Sequence, residues 1–320
     1  MKTLTLAAAA IAILAGTSAF GQAPSNYPTR QVRIVANSTP GASIDISARL
    51  VASWLEKRLK QPFVVENKPG GNGTIGANEV VRSEPDGYTL LVAASSIEYA
   101  DLTIKELPYD WRKDIKPVAK IAGAGLMLTV ASSVPAKNLA EFVAYAKARP
   151  GALNQGNAGS LHPVMEEVKS LLGIEIQNVM YKGGAPVTAA LASDEIQLAF
   201  LGTFQTLALE KLGKARAIAF TSDKRDTRFP SIPTIAESGF PGFNGGFWIG
   251  LFVRTSVPAA IVDRLNAEVN AMNKDPASLK VYESQGYETY DARPDQIRAQ
   301  MLDEAARAAK AFTKAGVKPE

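Results

Sequence analysis

The stretch Arg33-Ile34-Val35-Ala36-Asn37-Ser38-Thr39-Pro40-Gly41-Ala42-Ser43-Ile44-Asp45-Ile46-Ser47-Ala48-Arg49 decides the fold. It opens as a short apolar strand at Ile34, Val35 and Ala36 and breaks at Asn37 to Gly41. Apolar residues then return with helical spacing at Ile44, Ala48, Val51, Ala52 and Leu55. Strand, glycine turn and helix start in that order leave backbone N–H groups unpaired at a helix N-terminus, beside the positive end of its dipole. Such an end can hold an anion, here a carboxylate or a phosphate. The alternative is an ordinary connection in which Ser43 or Asp45 caps the helix and no ligand is involved.

The same grammar recurs outward from this stretch. Residues 63–67 form a second strand, followed by a loop with Gly70, Gly71, Gly73 and Gly76 and a helix over 77–83. No P-loop lysine follows those glycines, so they read as packing and turning residues. A strand over 88–93 ends at Ser95-Ser96, and one over 126–131 leads into a helix whose apolar face is Leu139, Phe142, Val143 and Ala146. Residues 154–162, with Asn157, Gly159, Ser160 and His162, read as a small polar loop before a helix over 164–172. His162 at that helix start can hydrogen-bond locally or touch a ligand. A strand over 176–181 runs from Ile176 to meet Tyr181-Lys182-Gly183-Gly184-Ala185-Pro186, and one over 196–201 ends at Gly202-Thr203-Phe204. Further strands over 215–221 and 247–253 precede a helix with Ile261, Leu265 and Val269 on one face. A last helix over 294–314 reads as a surface helix wrapped on the fold. Successive βα units, each ending in small residues, indicate an α/β fold whose sheet is built twice, with ligands expected at the carboxyl ends of strands.

The first 23 residues stand apart. Lys2, an apolar run over 4–14 and small residues up to Ala23 make a secretory signal peptide, cleaved between Ala19 and Ala23. The run falls short of the roughly 20 apolar residues of a membrane span. With Lys2 gone, 34 basic residues face 31 acidic ones, a formal +3, and no basic stripe points to nucleic acid. Without cysteine there is neither a lipid-attachment site nor a disulfide framework. One histidine and scattered carboxylates argue against a metal centre or a cofactor. Ser160 and His162 are the only nucleophile and base a hydrolase could use, and no third group orients them. The sequence offers no catalytic constellation, so the chain is not expected to be an enzyme.

Longer motifs give a resemblance. Tyr27-Pro28-Thr29-Arg30, Val65-Glu66-Asn67-Lys68-Pro69-Gly70-Gly71, Pro85-Asp86-Gly87-Tyr88-Thr89-Leu90-Leu91 and Leu107-Pro108-Tyr109-Asp110 occur in that order. Tyr181-Lys182-Gly183-Gly184-Ala185-Pro186, Pro233-Thr234-Ile235-Ala236-Glu237-Ser238-Gly239 and Pro258-Ala259-Ala260-Ile261-Val262 continue it. The set resembles the periplasmic solute receptors of tripartite tricarboxylate transporters, the Bug family, across nearly all of the mature chain.

That resemblance implies a two-lobed, type II-like periplasmic binding protein, monomeric, that closes on a small carboxylate and presents it to membrane subunits. Lobe 1 is expected to comprise residues 24–124 and 248–320 and lobe 2 residues 125–247, with hinges near 123–126 and 244–248. In the family, backbone N–H groups, hydroxyls and waters hold the carboxylates. Carried over, the ligand set is Ser38, Pro40, Gly41, Ala42, Ser43, Ile44, Ser95, Ser96, Asn157, Gly159, Ser160, His162, Tyr181, Gly183, Gly184, Ala185, Gly202, Thr203 and Phe247. Asp45 is expected to cap its helix, because a carboxylate repels an anionic ligand. The chain also departs from the family pattern. Ala42 stands where a glycine is usual, Ile44 where threonine is, Leu201-Gly202 where an Asp-Asn-like pair is, and Ala100-Asp101 where Asn-Pro is. The loop before His162 is shorter. These changes point to a bulkier, less polar ligand such as an aromatic carboxylate, with Phe200, Phe204, Phe247 and Trp248 as flanking rings.

Overall fold

A computed structural model of the chain describes residues 26–158, 161–181, 183–222, 224–316 and 319. The expected signal peptide, Gly159, Ser160 and Lys182 lie outside the described residues.

Eleven strands and eleven α-helices are described along the chain, most strands being followed by a helix. The first run is β1 (Val32–Ala36), α1 (Ser43–Leu59), β2 (Phe63–Asn67), α2 (Thr74–Val81), β3 (Thr89–Ala94), α3 (Ala100–Thr103), α4 (Trp111–Asp114) and β4 (Ile115–Ala124). A 3-10 turn, Ser95–Tyr99, links β3 to α3. The second run is β5 (Met127–Ala131), α5 (Leu139–Lys147), β6 (Asn154–Ala158), α6 (Leu161–Leu172), β7 (Gln177–Tyr181), α7 (Gly184–Ala192), β8 (Leu198–Leu201), α8 (Thr203–Lys211) and β9 (Ala215–Phe220). The chain finishes with β10 (Phe247–Arg254), α9 (Ala259–Met272), α10 (Pro276–Glu283), β11 (Glu288–Thr289) and α11 (Pro294–Ala315).

Two mixed sheets result. The first has the order β11-β4-β10-β3-β1-β2 and the second β7-β6-β8-β5-β9. The alternation in β1 explains its central place. Val32, Ile34 and Ala36 face Ala48, Val51 and Leu55 of α1, while Val35 faces Ala77 and Val80 of α2 on the other side. A strand buried on both faces needs apolar residues throughout, and the chain supplies them.

The sequence reading needs two corrections here. Residues 154–158, expected as a loop, are the strand β6, paired in parallel with both β7 and β8. Asn-Gln-Gly-Asn-Ala has no apolar alternation, so only the neighbouring strands make it a strand. The long strand β4, unread beyond its end, pairs with β10 and β11.

The last helix is also more than a surface wrap. Ile297, Met301 and Ala305 of α11 enter the core under the first sheet with Trp248 and Phe252. One turn on, Ala308 joins the core of the second sheet with Val164, Met165 and Val168 of α6. Arg307 Nε donates to Glu167 Oε1 on α6 at 2.6 Å. A single helix thus packs on both sheets.

Candidate functional site

Topology brings two edges face to face. Strands β1, β2 and β3 are parallel, so their carboxyl ends share one edge of the first sheet. β10 is antiparallel to β3 and β4 antiparallel to β10, which returns the end of β4 to that same edge. Only Gly125 and Leu126 separate β4 from β5. β5 is antiparallel to β8, so it starts at the edge where the parallel strands β6, β7 and β8 end. The carboxyl edges of the two sheets therefore confront each other across a two-residue crossover. The return crossover lies alongside: Leu126 N–H donates to Thr221 Oγ1 at 2.8 Å, and Gly245 N–H to the Thr221 carbonyl at 2.9 Å. Gly123 is required by this close pairing, since a Cβ there would lie 2.5 Å from the Phe247 carbonyl oxygen.

At the first edge stands the turn that opened the sequence reading. Gly41 has φ +81°, a conformation that suits glycine, and its N–H donates to Asp45 Oδ2 at 2.8 Å. Ala42 is the N-cap of α1 and provides no side-chain cap, so neither Ser43 nor Asp45 is the capping residue. Asp45 instead turns inward, nearly fully buried, to bind Gly41, Arg49 and Asn67. Burial pushes its carboxyl up, but the Arg49, Gly41 and Asn67 hydrogen bonds prevail and hold it below the usual carboxylate range. Asp45 is thus a positioning group for the loop. The first-turn N–H groups of α1 are left without a side-chain cap at the carboxyl edge of the first sheet. Ser38 and Pro40 are on the same turn, and Asn67 Nδ2 fixes it through the Ser38 carbonyl at 3.1 Å. Ile44 packs partly against the core beneath, so its apolar bulk is shared with the fold.

Next along this edge is the turn after β3. Ser95 is nearly buried, and its Oγ accepts the Trp248 N–H at 3.4 Å, tying the turn to β10. Ser96 is more open. Phe247, at the start of β10, is half-buried with its ring 6.2 Å from that of Tyr287.

On the second edge, α7 starts after Gly183 and α8 after Gly202, again with no side-chain cap. Gly183, Gly184 and Ala185 are exposed, and Thr203 is the first residue of α8. Tyr181 is half-buried and its hydroxyl donates to Glu195 Oε1 at 2.7 Å. Asn157 is buried at the end of β6. Its Nδ2 donates to Asn178 Oδ1 at 2.5 Å, and Asn178 Nδ2 lies 3.2 Å from His162 Nε2. His162 also meets Glu166 at 3.4 Å and stacks on Phe312 of α11 at 5.3 Å. Burial raises the Glu166 carboxyl, but hydrogen bonds from His162 and Lys169 outweigh this and lower it. His162 is therefore built into a local polar chain.

Two expected aromatic neighbours are core residues: Phe200 and Trp248 are buried, as is Leu201. Phe204 is 59% exposed and reaches across to Gly286, where a Cβ would meet its ring at 3.1 Å. Sequence reading missed Asn178 and Tyr287, since neither carries a motif and both act through strand pairing and a turn. Among the described residues no cluster of acidic or histidine side chains could hold a metal ion, and no helix is long and apolar enough to cross a membrane.

The fold and these facing edges define a two-lobed α/β solute-binding receptor. The chain belongs to the tripartite tricarboxylate transporter receptor family, whose model matches residues 47–317. It is 32% identical over 298 residues to the protein BugT of Bordetella pertussis, covering 91% of each chain. A Cupriavidus necator relative, described as a UPF0065 protein in the gbd 5' region, is 37% identical over 238 residues, 73% of this chain and 72% of that one. Among solved structures, R. palustris Rpa4515 with adipate is 32% identical with a TM-score of 0.73, covering 92% of this chain and all of that one. MatC from Rhodopseudomonas palustris with bound malate is 28% identical with a TM-score of 0.69, covering 89% of this chain and 99% of that one. The family consists of periplasmic solute-binding receptors that work with membrane transporters, and not of enzymes.

Proposed function

We propose that this chain is an exported periplasmic receptor that captures a small carboxylate with a hydrocarbon body and delivers it to the membrane subunits of a tripartite transporter. The observation that carries the reading is the set of uncapped helix starts at α1, α7 and α8 along the two facing edges. Carboxylate oxygens would accept from those N–H groups, where the helix dipoles favour negative charge. Residues 24–124 and 248–320 would form one lobe and 125–247 the other, closing about the two crossovers. Phe204, Phe247 and Ala42 favour an apolar ligand body, of which an aromatic acid such as terephthalate and a longer dicarboxylate such as adipate are the two forms. A short hydroxy acid is the second reading, favoured by the malate held by one solved relative.

A thermal-shift screen of the mature protein tests this with terephthalate, benzoate, adipate, malate and citrate. A binder present at about 100 times its Kd adds about 2.7 kcal/mol of stability. Terephthalate or adipate should shift the melting point more than malate or citrate. Ser43→Pro should abolish the shift while leaving the melting point nearly unchanged, since proline is accommodated at the first helical position but lacks the N–H. A larger shift from malate or citrate defeats the apolar-body reading, and an undiminished shift in Ser43→Pro defeats the role of α1.

A further inference from the structure

Beneath the first edge lies a pair of buried acids that ligand capture does not use. Glu98, in the 3-10 turn after β3, is fully buried, with only the Tyr99 hydroxyl and the Glu304 carboxyl within hydrogen-bonding reach and no well-aligned donor on either carboxyl oxygen. Glu304 on α11 is 3% exposed, accepts Gln300 Nε2 at 2.7 Å, and lies within hydrogen-bonding reach of Glu98. Two carboxylates cannot hydrogen-bond to each other; a proton must lie between them. A bare carboxylate buried without a donor is among the costliest groups in a protein interior.

We propose that Glu98 and Glu304 share one proton and form a pH-dependent clasp between the turn bearing Ser95-Ser96 and the helix that packs on both sheets. The position of the pair gives the clasp its consequence. Glu98 follows Ser95 by three residues, and its neighbour Tyr99 is buried in the core of the second sheet with Leu128 and Val164. Glu304 stands on α11 between Met301, which serves the first sheet, and Ala308, which serves the second. The pair therefore sits where one turn and one helix contribute to the cores of both sheets.

The charged and titratable groups around it come from four elements. They are Tyr99 beside Glu98, Lys120 on β4, Glu167 on α6 and Arg307 on α11. Lys120 lies close enough to favour the singly ionised pair, while Arg307 is taken up by Glu167 and Asp303. Burial raises both Glu98 and Glu304, and the Glu304 carboxyl further opposes ionisation of Glu98. Hydrogen bonds from Glu98, Gln300 and Trp248 and the nearby Lys120 favour the ionised Glu304 without outweighing its burial. A cavity of about 380 Å³ beside the crossovers is lined by Lys120, Trp248 and Gln300, the side chains that also stand near Glu304. Losing the shared proton would set two negative charges against each other and loosen the turn from α11.

Two ligand-free measurements test the clasp, so its failure is distinct from failure of the carboxylate reading. Infrared spectroscopy at neutral pH should show a protonated-carboxyl band that disappears in both Glu98→Gln and Glu304→Gln. Hydrogen exchange, corrected for intrinsic rates, should show protection of residues 95–103 falling by up to about tenfold per pH unit above the pair's titration, with the fall absent in the variants. A missing band in the wild type, a band that only halves in each variant, or equal pH dependence in wild type and variants would overturn the proposal. If one variant does not fold, the other carries the same test.

Discussion

Helices entering the structure at the facing edges differ from those entering elsewhere. The chain passes into α1, α7 and α8 through Ala42, Gly183 and Gly202, none with a side chain that caps the helix. It passes into α5 through Asn138, whose side chain accepts the Glu141 N–H at 2.9 Å. α10, where Asp275 accepts the Ser278 N–H at 2.9 Å, is a capped helix that starts just after Asn273, which reaches Lys120 near the cleft end of β4. The short α4 is capped by Asp110 in the same way. α5 follows β5, which runs against the parallel strands of its sheet, so α5 starts at the edge away from the cleft. Besides α10, the exceptions are α9 and α11, which start away from the cleft but enter through Pro258 and Arg293 with no side-chain hydrogen bond from the N-cap residue. A side-chain cap is worth about 1 kcal/mol, and the cleft-edge helices forgo it. Donors left open there cost stability and leave hydrogen-bonding capacity for a ligand.

The largest effect is expected from erasing this difference at α1. Ala42 has φ −72° and ψ 161°, already the backbone of a capped N-terminus. Ala42→Asp should therefore raise stability by about 0.5–1 kcal/mol. The new carboxylate would also occupy the donors and repel the ligand, lowering carboxylate affinity by about a hundredfold, or roughly 2.7 kcal/mol. Calorimetric titration and melting of the same variant would show both changes; unchanged affinity would remove α1 from the ligand site.

A smaller effect is expected from the converse change. Asn138→Ala and Asp275→Ala should each lose about 1 kcal/mol in urea melts, with ligand affinity unaltered. If either weakened binding as well, the contrast between the two kinds of helix start would fail.

The smallest effect separates the buried Asp45 from the Glu98–Glu304 pair by the sign of their pH dependence. The folded carboxyl of Asp45 titrates below its unfolded value, so the stability it brings is present at neutral pH and lost as pH falls through the folded value. Glu98 and Glu304 titrate above theirs, so their contribution is greatest at low pH and lost as pH rises through the folded values. Melting temperatures should accordingly fall more steeply below about pH 4 in the wild type than in Asp45→Asn. Parallel curves would mean that Asp45 does not hold the loop.

How legible the site was depends on where its information lay. The turn at Gly41 could be read because its strand, glycine and helix spacing are consecutive. Gly183 and Gly202 were found by the same pattern. β6 was not legible, because Asn154 to Ala158 is polar and becomes a strand only between β7 and β8. Leu201, read as a change in the cleft, proved to be core, since alternation along β8 turns its side chain inward. The roles of Asn178, Tyr287 and Glu98 depend on partners 16, 40 and 206 positions away in the chain, His162, Phe247 and Glu304, and no local pattern announces them.

The sequence by itself determined the α/β class, most strands and helices, the family, and the glycine turns at the starts of α1, α7 and α8. These are local properties, written in periodicity, glycines and short motifs. Tertiary structure alone decided that the two carboxyl edges face each other, that α11 packs on both sheets, and that Glu98 meets Glu304. Those relations rest on antiparallel pairing through β10 and β5 and on contacts between distant segments, whose energies exist only once the chain has closed upon itself.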